Sequence, residues 1–222
     1  MLNLILALAA FVGTHFAMSH PLRAPLVARL GAGGFLGLYS LVAALTLGWA
    51  AVAFRAAPYG DPLWAASDAL WWVSTVVMLL AAILLVGSFF GNPALPGPQS
   101  TAPIPAARGV FAITRHPMMW SFALWSLAHA LVSPRPAVLA LSGAIAVLAL
   151  VGANLQDGKK AGLHGERWRD WTGRTSFVPY GRGWAWPGLV ASVGGVALWL
   201  VATWVHPLLG APAAGIWRWL SA

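Results

Sequence analysis

No cysteine occurs anywhere in the 222 residues. That removes disulfides, iron–sulfur clusters and thiolate zinc sites from consideration. Charge is also scarce: 8% of residues are charged, against about 25% in an average soluble domain, so a soluble protein is excluded. Acids are fewest of all, with 5 Asp and Glu in the whole chain. Zinc hydrolase chemistry therefore fits poorly, because there is no HExxH and no histidine pair at i, i+4. No strand is evident, so no glycine-rich phosphate loop can follow one, and nothing marks a Ser–His–Asp arrangement.

What the chain has in quantity is apolar sequence, 59% of its residues. Several runs approach or exceed the ~18–20 residues that cross a bilayer. The pattern predicts one all-α domain over 1–222, a polytopic transmembrane helical bundle of about six spans plus interfacial helices. The spans fall near 2–19, 32–54, 66–90, 117–133, 137–155 and 187–206. The first run lacks the basic n-region of a signal peptide and is read as a retained helix. Many of the 14 tryptophans stand near the ends of these runs, as in an interfacial aromatic belt. Gly33, Gly34, Gly37, Gly194 and Gly195 are expected to let helices approach closely.

The formal charge of +8 does not point to nucleic acid, since the basic residues lie in short loops between apolar runs. Arg23, Arg29, Arg108, Arg115, Lys159, Lys160, Arg167, Arg169, Arg174 and Arg182 follow spans one, three and five. Arg55, Arg135 and Arg218 lie on the other side. This bias places the first set in the cytoplasm. Segment 91–109, rich in Pro and Gly, reads as a loop or a lid. Segment 156–188 interleaves Trp168, Trp171, Phe177 and Tyr180 with arginines, and reads as an interfacial amphipathic helix or a cap over a cavity. The tail 207–222 is too short to span and reads as interfacial, with a re-entrant or seventh short helix as the alternative. Asp68 is expected to pair with Arg55 or to be solvated.

The six histidines are His15, His20, His116, His129, His164 and His206. An imidazole at membrane depth must satisfy a donor and an acceptor, and such residues mark a function or a polar partner. His129 lies twelve residues past Pro117, about 18 Å along the helix. Phe122, Trp125 and Val132 share its face, an aromatic shelf suited to a flat apolar cofactor; an interhelical hydrogen bond is the alternative. His116 and His129 cannot grip one iron from a single helix, being about 220° apart around the axis and about 19 Å apart along it. A second protein ligand must then come from another span, and His15 is the only histidine inside one. His20, His164 and His206 read as interfacial. Arg115, at the start of span four, is placed for a phosphate, carboxylate or propionate, or serves topology alone.

The run GVFAITRHPMMWSFALWSLAHALV resembles the signature of the NnrU family of bacterial membrane proteins: G-x-F-x-x-T-R-H-P, an aromatic, then L-W-x-x-A-H. FVGTHFAMSHPLRAPLVARLG, GFLGLYSLVA and HGERWRDWTGRTSFVPY extend the resemblance over most of the chain. That family is associated with nitrite and nitric oxide respiration, and it is similar to the zeta-carotene isomerase, which holds haem b through axial histidines. The resemblance implies haem b with His15 and His129 as iron ligands, His116 and Arg115 beside the propionates, and Trp125 against the porphyrin. It implies a haem-dependent isomerase, or a redox or nitric-oxide-sensing protein, in the bacterial inner membrane. Its partners would be the lipid bilayer, a small hydrophobic ligand or nitric oxide, and respiratory complexes. The isomerase has been linked to a cysteine near its second histidine; none exists here, so ligand exchange is not expected.

R-H-P opening a helix, with a late L-x-G-E-R-W-x-x-W, also resembles isoprenylcysteine methyltransferase-like membrane enzymes. That likeness implies S-adenosylmethionine bound by His116 and segment 156–188, although the usual Glu-Glu pair is Gln156-Asp157. A third possibility is a non-catalytic assembly factor whose histidines make interhelical hydrogen bonds.

Overall fold

The computed structural model describes residues 1–58, 60–93, 104 and 106–220. Among them the chain is helical, with one isolated bridge between Gly181 and Gly183 in place of any strand. The helices are α1 Leu2–Ser19, α2 Arg23–Ala56, α3 Asp68–Gly87, α4 Val110–Ile113, α5 Pro117–Val132, α6 Pro136–His164, α7 Glu166–Arg174, α8 Leu189–Val205 and α9 Trp217–Leu220. By length and composition, α1, α2, α3 and α6 can each cross a membrane. The apolar α5 and α8 have 16 and 17 residues, a little short of the ~20 of a full crossing.

Local chemistry sets most of the ends. Pro117 and Pro136 open α5 and α6, where the missing N–H costs nothing. Ser67 caps α3 by accepting from the Leu70 N–H at 3.4 Å. Gly31 interrupts α2 with φ 69 and ψ 171, a conformation that suits glycine and strains other residues. This is why the second apolar span begins at residue 32 although helix starts at Arg23. Gly165, at φ 55, turns the chain from α6 into α7.

The major helices pack in the spatial order α2, α1, α6, α5, α3, α8. Leu4, Ala7 and Leu8 of α1 meet Ala50 and Ala53 of α2 and Ala137 of α6 at one end of the bundle. At the basic end a second core gathers Leu84, Val110, Phe111, Ile113, Trp168, Trp171 and Ala191. Segment 156–188 thus departs from the interfacial expectation. Its α7 is amphipathic, but Trp168 and Trp171 are 1% and 2% exposed and face protein instead of headgroups. The lid expected within 91–109 falls largely outside the described residues.

The tail folds back on α3. Trp219 stacks on Trp72 at 4.6 Å, and Arg218 lies 4.3 Å over Trp71 and 3.7 Å from Asp68. Asp68 is thus largely solvated, 75% exposed, and its nearest cation is Arg218 instead of Arg55. The glycines divide. A Cβ on Gly33 or Gly37 would meet nothing within 4 Å, whereas one on Gly195 would lie 2.5 Å from Ile83 Cα. Of these three glycines, Gly195 is the one at a close backbone approach, in the α3–α8 contact. Gly195→Ala is therefore expected to force these helices apart and cost about 1–3 kcal/mol, while Gly37→Ala, with open space around it, leaves stability unchanged or slightly raised. Denaturation in detergent micelles measures both, and equal behaviour of the two variants would remove the role given to Gly195.

Candidate functional site

The T-R-H-P run and the distant segment 175–180 fold into one unit at the basic end. Arg115 N–H donates to Ser176 O at 2.8 Å, and Tyr180 N–H to Ile113 O at 2.9 Å. Thr114 Oγ1 donates to Phe177 O at 2.6 Å, and Trp120 Nε1 donates to the same carbonyl at 2.8 Å. Within this frame Arg115 and His116 converge on Asp157 of α6. Arg115 Nε and Nη2 reach Oδ2 at 2.8 and 2.7 Å. His116 Nε2–H donates to Oδ1 at 3.0 Å. The phenyl ring of Phe177 covers both, 5.3 Å from the His116 ring and 5.3 Å from the Arg115 guanidinium.

The His116 side chain is 1% exposed, and its Nδ1 is buried without a hydrogen-bond partner among the described residues. Arg115 and His116, expected beside propionates, spend their donors on this chain's own carboxylate. The same burial turns His116 away from any soluble nucleoside in this conformation. Sequence reasoning did not find Asp157 as the partner, since 41 residues separate it from His116.

His15 stands elsewhere, on the wall of an apolar cavity of about 520 Å³. Leu8 and Phe11 of α1, Leu47 of α2, Phe122 of α5 and Leu148 of α6 share that wall. His15 Nδ1–H donates to the Phe11 carbonyl at 2.7 Å, which fixes the tautomer and leaves Nε2 as the free nitrogen. Phe11 and Tyr39 meet the ring edge-on at 4.4 and 5.4 Å.

His129 uses the same device, donating from Nδ1 to the Trp125 carbonyl at 2.9 Å. Trp125 stacks on it at 4.0 Å and 29°. Its other neighbour is His206, whose ring centroid is 6.2 Å away. His206, read as interfacial, is thus brought to His129, while His129 is absent from the cavity wall that carries His15.

The two histidines also differ in depth. Ser19 and His20 at the end of α1 share a basin with Asp157 and Lys159, and Asp157 contacts His116 at the start of α5. These residues mark one level. His15 lies four residues from it, about 6 Å, and His129 about 18 Å, so some 12 Å separates them along the bundle. Among the described residues no group of three or more His, Asp or Glu converges for a metal.

That basin, more open and about 810 Å³, adjoins the apolar cavity and shares Ser19, His20 and Lys159 with it. Burial and the charge of Lys159 hold the His20 imidazole below its ordinary value, so it is neutral near pH 7.

Four apolar helices of membrane-crossing length and two shorter ones, with a half-open apolar cavity that has a histidine on its wall, define a polytopic α-helical membrane protein. The chain belongs to the NnrU family: the family model described as NnrU protein matches residues 3–213. No curated protein and no solved structure matches it.

The Asp157 junction predicts a clear loss. Asp157→Ala leaves the part-buried Arg115 guanidinium without a counter-charge and the buried His116 Nε2–H without its acceptor, and is expected to cost about 2–3 kcal/mol. This would appear as a lower melting temperature in detergent. A change under about 0.5 kcal/mol would show that the backbone pairing of 113–115 with 176–180 suffices without the carboxylate.

Proposed function

We propose that the protein holds a flat apolar prosthetic group, haem b by family resemblance, in the cavity between α1, α2, α5 and α6, with His15 as its protein ligand. The observation that carries this is the Nδ1–H bond of His15 to the Phe11 carbonyl at 2.7 Å, on the wall of that cavity. A ligating histidine characteristically donates its other ring nitrogen to a carbonyl or carboxylate, which fixes ring orientation and raises basicity. The cavity volume lies inside the ~300–1,000 Å³ range of small-molecule sites, and its wall is mainly aliphatic and aromatic. These residues fit the group. When bound, haem supplies one-electron or small-gas chemistry, selected by axial ligand and pocket polarity.

His129 carries the same fixed tautomer and is the second ligand that the family resemblance implies. Its depth and its place beside His206 favour a polar contact between α5 and the end of α8. The broader reading is six crossings in a bacterial inner membrane, with the basic loops cytoplasmic and a role tied to nitrite or nitric oxide respiration.

Protein purified in detergent after haem-replete expression is expected to show a Soret band. His15→Ala is expected to lower bound haem at least tenfold, while His129→Ala retains it. Equal loss in both variants would return His129 to the ligand set. A wild-type protein without the band would end the haem reading.

A further inference from the structure

We propose that the ligand of this cavity is an amphiphile with an anionic head: its apolar body lies along His15, and its carboxylate or phosphate rests on Arg23 and Lys159 at the basic end. The inference rests on the cavity reading above and adds the charge and direction of what fills it.

Three observations carry it. The apolar cavity and the basic basin share Ser19, His20 and Lys159, so one elongated molecule can occupy both. Arg23 lines the basin beside Lys159, and each lysine lies within electrostatic reach of Arg23. Among the described residues none of the three cations has a carboxylate partner. Asp157, the acid on the basin wall, is engaged by Arg115 and His116.

Like charges gathered at a half-buried site repel, and an anion there is stabilised by each of them. Topology alone requires basic residues on one side of the membrane. It does not require them to meet at the mouth of an apolar cavity. Arg23 reaches this place because it begins α2 directly after the turn at residues 20–22. Lys159 reaches it because α6 continues as helix to His164, past its apolar part, and Lys160 follows it within electrostatic reach of Arg23.

Two ligand sources share this chemistry, a dicarboxylate porphyrin and an anionic phospholipid, and the test has an arm for each. Full-length protein from haem-limited cells is titrated with hemin and with hemin dimethyl ester, which lacks the carboxylates, and read by Soret absorbance. Native mass spectrometry then compares retention of phosphatidylglycerol with that of phosphatidylcholine. Wild type is expected to bind hemin at least tenfold more tightly than the ester, or to retain phosphatidylglycerol selectively. Arg23→Gln/Lys159→Gln removes that preference, and Lys159→Arg keeps it and reports on folding.

Equal binding of hemin and ester together with equal retention of the two lipids overturns the inference. So does a preference that the double variant leaves unchanged. If hemin and ester bind equally in wild type but are lost in His15→Ala, the haem reading stands and this one falls. If neither porphyrin binds while phosphatidylglycerol is retained selectively, the reverse holds.

Discussion

One carboxylate organises the basic end of the bundle. Asp157 is held by the guanidinium of Arg115 at 2.7 Å and by His116 Nε2 at 3.0 Å. Through them, α6 is tied to the start of α5, and through the backbone of 113–115 to the strap at 175–180. The consequence reaches the cavity. α6 forms one wall with Leu148 and Gly152, and α1 forms the other with Phe11 and His15. The position of α6 against α5 therefore sets the width between them. Partly buried charges with hydrogen bonds on both sides hold geometry more strictly than apolar contact, because misalignment leaves a desolvated charge unpaired.

The histidines inside the apolar helices show how a helix settles an imidazole in a dry place. At i−4 the carbonyl is already in the helical ladder, but it has a second lone pair. Phe11 and Trp125 each offer that lone pair to a ring Nδ1–H. The polar cost of the donor is met within one helix, and the chain need not supply a partner from elsewhere. What distinguishes the two rings is the environment of the remaining nitrogen. That of His15 borders a cavity, while the ring of His129 lies between Trp125 and His206.

Much of the fold was legible because it rests on local chemistry. Pro117 announces the start of the fourth span, and apolar run lengths announce the long helices. The candidate site was legible in part. Period and depth singled out His15 and His129 as the imidazoles within apolar helices, and R-H-P as a special junction. Asp157 was hidden because it stands in a polar stretch, QDGKK, that reads as the edge of a loop, whereas α6 carries it as helix to His164. His206 was hidden because its partner comes from a helix 77 positions earlier in the chain. Trp168 and Trp171 were read toward lipid because an amphipathic pattern shows which face is apolar and not what covers it. Long-range pairings leave no period in a sequence, and each of these is one.

The cluster of Arg23, Lys159 and Lys160 sets a problem in electrostatics that its topology does not solve. Cations facing bulk water at a membrane surface are screened and cost little. These are only part exposed, and Arg23 and Lys159 line the basin at the rim of an apolar space, where the local dielectric is lower and repulsion stronger. A fold that keeps them together while the basin's acid, Asp157, is taken by Arg115 and His116 is stabilised by whatever anion joins them. Binding and folding are then linked, since a ligand that binds only the assembled bundle raises its stability by RT ln(1 + [L]/Kd). In that case α1 and the start of α2, which meet at the basin, are the elements whose docking on α6 depends most on the ligand. The direction of the amphiphile follows from the same charges: its anionic end must face the basic side of the membrane, and its apolar end must point toward Leu8, where the cavity wall carries no charge.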